Sequence, residues 1–175
     1  SIVLGGGCFW CLEPIFYSIN GVIEVSPGYS GGKTNNATYE QVCAGTTDHA
    51  EVVKIIFNPV LIDVVDLFGV FFATHDPTTI NRQGGDIGTQ YRSVIFYDSE
   101  LQKQQADLAL LAASKSNEFS GKIVTEVTKL INFFPAEDIH AKYYSNNSDE
   151  GYCRVVIKPK LDKFRQEFNH LLRSL

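Results

Sequence analysis

The chain has no methionine and only one tryptophan, Trp10, in 175 residues. Lack of Met suits a protein that works among oxidants, since Met is easily converted to its sulfoxide; chance gives the same composition, so the absence directs nothing alone. Positive charge is scarce and scattered: 15 Lys and Arg against 20 Asp and Glu leave a net charge of −5. That excludes the basic face a phosphate backbone requires, and no nucleic acid is expected as partner. Long apolar runs are also missing. Residues 64–73 come nearest, but Asp66 interrupts them, and they fall short of the roughly 20 residues of a membrane span. No basic segment followed by an apolar run opens the chain, although it starts at Ser1 and leaves room for a removed leader. The expectation is a cytoplasmic protein with no membrane partner. Four cysteines, at 8, 11, 43 and 153, are too few and too unevenly spaced for the disulfide framework of a secreted mini-domain. Redox chemistry suits them better.

Hydrophobic residues make up 44% of the chain, enough for one core, so residues 1–175 are read as a single domain. A short apolar strand over 2–4 runs into Gly5, Gly6 and Gly7, and Phe9, Leu12, Ile15, Phe16 and Ile19 then recur at helical spacing over 8–18. Residues 22–29 and 50–57 alternate as strands, with a glycine-rich loop over 28–32, and 61–74 reads as a buried helix after Pro59. Another strand is expected over 91–97. Ser99 is placed to cap a long amphipathic helix reaching about residue 117, and 124–130 alternates as a further strand. Pro135, the polar run 146–149 and Gly151 make the remainder irregular until a terminal helix over 161–172. The order βαββαβ with appendages predicts an α+β fold, a ferredoxin-like two-layer α/β sandwich with a mixed sheet, an irregular C-terminal segment and a terminal helix.

Cys8 sits where strand turns to helix. Unpaired N–H groups and the positive end of the helix dipole favour its thiolate, and the preceding glycines suggest an accessible sulfur. A nucleophile is the functional reading, and a buried structural thiol the plain one. Cys8-x-x-Cys11 also admits a thioredoxin-like dithiol or half a zinc site. Zinc lacks a second half, because Cys43 and Cys153 stand alone without a paired His. Two helical residues three apart hold their Cβ atoms roughly 5 to 6 Å apart, against the 3.5 to 4.5 Å of a disulfide, so closure is expected to need local unwinding.

Six segments occur in an order that resembles the A-type peptide methionine sulfoxide reductases. They are Gly7-Cys8-Phe9-Trp10-Cys11-Leu12-Glu13, Gly28-Tyr29-Ser30-Gly31-Gly32, Tyr39-Glu40-Gln41-Val42-Cys43, His49-Ala50-Glu51-Val52, Asp86-Ile87-Gly88-Thr89-Gln90-Tyr91-Arg92-Ser93 and Gly151-Tyr152-Cys153. Two features depart from the commonest family pattern: Cys11 stands where many members have Gly, and no glycine-rich tail with another Cys follows Cys153.

The resemblance implies that Cys8 is the nucleophile toward methionine-S-sulfoxide, protein-bound or free, and that Phe9 and Trp10 wall the substrate methyl. It implies that Glu51, Tyr39 and Tyr91 hold the sulfoxide oxygen, and that Asp86 supports the site near Tyr91. Glu51 must then stay protonated near neutral pH to donate to that oxygen. A Cys8 sulfenic acid follows, then a disulfide to Cys11 or Cys153, opened by thioredoxin or, in vitro, dithiothreitol, with no metal or organic cofactor. The implied role is repair of oxidised proteins by a monomer. Of the two resolving candidates Cys11 is preferred, being local, while Cys153 is expected on a polar, mobile segment rich in Asn and Ser. Read without the family, Glu51 is a solvent-facing strand carboxylate, Tyr39 and Tyr91 anchor loops as Tyr29 does, Trp10 is core, and Cys43 is structural. His49, His75, His140 and His170 show no recruiting pattern. A general dithiol oxidoreductase and a non-catalytic binder of oxidised Met remain the competing classes.

Overall fold

In the computed structural model, which describes residues 1–174, six strands form one sheet and helices cover one of its faces. The chain opens with β1 (Ile2–Gly5), α1 (Phe9–Tyr17), β2 (Val22–Ser30), a short α2 (Tyr39–Cys43), β3 (Ala50–Phe57) and α3 (Val64–Thr74). A hairpin, β4 (Arg82–Gln83) with β5 (Asp86–Ile87), precedes a 3-10 turn over Thr89–Tyr91, β6 (Val94–Tyr97) and α4 (Glu100–Lys115). Then come β7 (Glu126–Lys129), β8 (Phe134–Pro135), a 3-10 turn Asp138–His140, α5 (Tyr143–Asn146), a π-helical stretch Cys153–Ile157 and α6 (Lys158–Glu167).

The strand order is β7-β6-β1-β3-β2-β8, antiparallel throughout except for β6 with β7. Its central four strands, β6-β1-β3-β2, follow the ferredoxin-like βαββαβ path, so the mixed-sheet α+β expectation holds. Alternation sorts the side chains. Ile2, Leu4, Val53 and Ile55 pack under the helices, while Val3, Ala50, Val52, Val94 and Phe96 face the other way and are covered by Leu130 and Phe133. Fully buried Phe9, Phe16, Phe68, Phe71 and Phe164 fill the helical layer.

Local signals account for the elements that match. Ser99 accepts the amide of Gln102 at 3.2 Å and starts α4, and Asp63 accepts that of Val65 at 3.0 Å and starts α3. Gly7 has φ of +93°, and a Cβ there would lie 2.7 Å from Gln83 Cγ, so the turn into α1 demands glycine.

Three expectations are corrected. Tyr91 is not in a strand: it closes the 3-10 turn, and β6 begins at Val94. The helix α2 was not anticipated; it is one turn long and rests on a capping box between Thr38 and Gln41. Helical structure begins ten residues or so before the expected 161: it runs from Gly151 through the π-helical stretch Cys153–Ile157 into α6, whose first turn accommodates Pro159. Cys153, Ile157, Leu161 and Phe164 line its buried face. Cys153 is thus fully buried in a helical segment, not carried on a mobile one.

Candidate active site

β1, the glycine turn and α1 bring Cys8 to the helix-covered face of the sheet, next to β3. Cys8 is not itself helical. Its φ of −60° and ψ of 129° make it the extended N-cap of α1, with Cys11 at the third helical position. The expected geometry of two helical residues therefore does not apply. Gly7 turns the chain just before Cys8, and the Cys8 and Cys11 thiols shift each other's pKa, Cys8 up and Cys11 down.

Glu51 belongs to the face of β3 that carries Val53 and Ile55, and is only 1% exposed. Its Oε2 accepts the amide of Phe9 at 3.1 Å, so the carboxyl is fixed against the first turn of α1. Burial lifts its pKa to about 8, with the nearby charges of Asp86 and Cys11 adding to the rise; the Phe9 amide opposes it and loses. Glu51 is a neutral acid at pH 7. The solvent-facing alternative does not describe it.

The Cys8 sulfur departs from expectation as well. Cys8 is 8% exposed, and burial pushes its thiol well above the ordinary value, helped by Cys11 and the charge of Glu51; the Trp10 amide at the helix start pulls the other way without prevailing. Desolvation by the surrounding side chains outweighs the helix end. Cys11 is the thiol shifted down, chiefly by the hydrogen bond from Cys8, with Lys160 and Tyr152 contributing against burial. Cys8, Cys11, Cys43 and Cys153 are all free.

Aromatic side chains enclose the two sulfurs. Phe9 is fully buried against Tyr29, with ring centroids 5.8 Å apart. Trp10 lies flat on Tyr143, centroids 3.7 Å apart and planes 6° off parallel, and its Nε1 donates to His140 Nδ1 at 3.1 Å. Tyr39, the first residue of α2, stacks at 6.3 Å from Trp10 and 4.5 Å from His140. The Tyr39 amide donates to Glu137 Oε1 at 2.8 Å, and Tyr29 Oη donates to Glu137 Oε2 at 2.8 Å. Tyr39 and Tyr91 are half-buried phenols, both shifted up by burial first, Tyr39 next by Cys43, and both by surrounding charges that include Glu51. They stay protonated donors. Asp86, on β5, accepts Tyr152 Oη at 2.6 Å, and that hydroxyl lies 3.8 Å from the Cys11 sulfur. The sequence reading put Asp86 in support of the site near Tyr91, and its hydrogen bond is to Tyr152.

The structure thus gathers Cys8, Cys11, Phe9, Trp10, Tyr39, Glu51 and Asp86 around one end of α1, with Tyr91 close enough that Glu51 and Cys8 both raise it. Cys153 is fully buried on the helical segment beside them, and Cys43 is exposed at the end of α2. Sequence reasoning passed over Tyr143, Tyr152, Glu137 and His140. His140 is 2% exposed, and its Nε2 has no hydrogen-bond partner, with Glu137 Oε2 at 3.6 Å. The only signal for these residues was a cluster of aromatics in a segment otherwise too polar for a core. Among the described residues no three His, Cys, Asp or Glu side chains converge as a metal site, and no helix is long and apolar enough to cross a membrane.

A thiol capping a helix, paired with a second thiol and set against a carboxyl that keeps its proton, on an α+β sandwich, defines a thiol-based oxidoreductase. The chain belongs to the peptide methionine sulfoxide reductase family, A type, whose model matches residues 1–172. It is 52% identical over 172 residues to the peptide methionine sulfoxide reductase MsrA of Acinetobacter baumannii, covering 98% of both chains. With that of Chromobacterium violaceum it shares 50% over 172 residues, again covering 98% of each. The solved structure of methionine sulfoxide reductase A from Corynebacterium diphtheriae aligns with a TM-score of 0.82 at 35% identity, covering 88% of this chain and 77% of that one. Reduced Mxr1 from Saccharomyces cerevisiae aligns at 0.81 and 34% identity, covering 87% of each. Mxr1 in complex with Trx2 matches at 0.57 and 24% identity, covering 81% and 82%, a likeness of fold alone. The activity is reduction of methionine sulfoxide.

Proposed function

We propose that this enzyme reduces the S epimer of methionine sulfoxide, free or in oxidised proteins, through a sulfenic acid on Cys8. The observation that carries the reading is the neutral, buried Glu51 held against the first turn of α1. A sulfoxide oxygen is a poor leaving group until protonated, and an acid with pKa about 8 delivers a proton at neutral pH. Phe9 and Trp10 receive the methyl, and the phenols of Tyr39 and Tyr91 donate to the oxygen. Asp86 acts through Tyr152.

The Cys8 sulfur attacks the substrate sulfur as Glu51 protonates the oxygen, and the Cys8 proton passes to the carboxylate that Glu51 leaves behind. Breakdown transfers the hydroxyl to Cys8, releasing methionine and leaving a two-electron-oxidised sulfenic acid. The Cys11 thiol then displaces that hydroxyl as water and forms the Cys8 to Cys11 disulfide. Cys153 takes the disulfide over by exchange. A dithiol of the thioredoxin class reduces it, consistent with the Mxr1 relative's complex with Trx2; dithiothreitol serves in vitro. No metal or organic cofactor takes part, and residues 1–175 act as one domain and as a monomer.

Chiral analysis of methionine sulfoxide left after incubation with enzyme and dithiothreitol tests this function. A fixed methyl wall and fixed oxygen donors fit one hand at sulfur, so only the S epimer should disappear. Equal loss of both epimers refutes the reading, and insulin disulfide reduction without sulfoxide loss indicates a general dithiol oxidoreductase instead.

A further inference from the structure

Glu13 is a second buried carboxyl on α1, 5% exposed, and the reaction has no use for it. It lies on the helix that carries Cys8, Phe9 and Trp10, yet its partners are far away in sequence. Its Oε1 accepts the amide of Lys142 at 2.8 Å, and the next amide, that of Tyr143, also favours the charged carboxyl. Lys142 has φ of +53°, a left-handed conformation uncommon for a residue with a side chain. It precedes α5 without capping it by its own side chain. The carboxyl of Glu13 holds that bend, and the next residue, Tyr143, presents its ring flat on Trp10 at 3.7 Å.

We propose that Glu13 is a positioning residue for methionine sulfoxide reduction, seating Tyr143 on Trp10 through the amide of Lys142 and so fixing the wall that receives the substrate methyl. This rests on the reading that Trp10 forms that wall. A four-residue helix has too little internal hydrogen bonding to hold its own place. Anchoring it from α1 makes the wall and its support move as one body with the Cys8 turn. A glutamine keeps one acceptor oxygen for the Lys142 amide where glutamate offers two, and an alanine keeps none.

Trp10 is the sole tryptophan, so its emission reports the stack directly. Glu13→Ala, Glu13→Gln, Tyr143→Ala and the Glu13→Gln/Tyr143→Ala pair are compared with the parent in the reduced state. Readouts are Trp10 emission, kcat and KM for methionine-S-sulfoxide with dithiothreitol, and the melting temperature. Glu13→Ala should red-shift the emission and raise KM roughly fivefold to tenfold, the scale of a lost buried hydrogen bond, with a smaller change in kcat. Glu13→Gln should fall between Ala and the parent on both readouts, and it keeps the test open if Glu13→Ala does not fold. On top of Tyr143→Ala it should add less than about twofold, because both act on one stack. Unchanged emission in the folded Glu13 variants overturns the proposal, as does an effect that multiplies fully with Tyr143→Ala. Emission that moves while KM stays constant in both Glu13→Gln and Tyr143→Ala also overturns it, and traces the failure to the reading of Trp10 as the methyl wall.

Discussion

The amide of Phe9 donates to Glu51 Oε2 at 3.1 Å, tying the first residue of α1 to a strand forty-two positions further along the chain. That bond favours the ionised carboxyl, yet burial raises the pKa to about 8. The same contact that fixes the acid in space thus fails to discharge it, because removing a carboxylate from water outweighs one hydrogen bond.

The rate of sulfoxide reduction should fall as pH rises through about 8, where Glu51 loses the proton it must donate. Single-turnover kinetics with excess enzyme isolate this step from disulfide recycling. Glu51→Gln should lose roughly 10² to 10⁴ in rate, the usual scale of general acid catalysis, and should lack the basic limb. An unaffected single-turnover rate would remove Glu51 from the chemistry.

Glu51 should also weaken the fold. Its folded pKa of about 8 stands above the 4.5 of an exposed glutamate, so the stability linked to this group is complete below the unfolded value and declines as pH rises toward the folded one. The slope is at most about 1.4 kcal/mol per pH unit. Glu51→Gln should therefore melt above the parent at pH 8 and close to it at pH 4. Thermal melts across that range check the trend, and a variant less stable than the parent at pH 8 contradicts it.

One equivalent of sulfoxide should leave a Cys8 to Cys11 disulfide. The capping position of Cys8 and the depressed pKa of Cys11 favour that pair, whereas Cys153 is fully buried on a helical segment that must open first. Mass mapping should find rapid loss of two thiols in Cys153→Ser and slow loss in Cys11→Ser. Fast formation of a Cys8 to Cys153 bond in Cys11→Ser would reverse the order.

Tyr39→Phe and Tyr91→Phe each remove one phenol donor and leave an aromatic ring of the same shape. Each should slow the single-turnover step by about tenfold to a hundredfold, below the range for an oxyanion donor because the other phenol remains. The double variant should lose more than either. Full activity in the double variant would assign both hydroxyls to loop anchoring.

The sequence alone determined what acts over a few residues. The strand, the glycine turn, the helix after it, the alternation of β3 and the Ser99 cap follow from period and turn chemistry that neighbouring residues impose. The Cys8 to Cys11 spacing at a helix start was likewise legible. Even the direction of Glu51 lay within reach, since it falls in phase with Val53 and Ile55 while Lys54 points the other way. The charge state of Cys8 was not. A helix end predicts a thiolate there, and the tertiary structure makes it neutral; the proton on Glu51 was called for by the family resemblance alone, since an isolated strand predicts an ionised carboxylate, and burial is what keeps it. It also decided that Tyr143, Tyr152, His140 and Glu137, all more than eighty residues from Tyr39, complete the site. Desolvation sums over every element packed around a group, and those elements arrive from distant parts of the chain, so no local motif carries its sign.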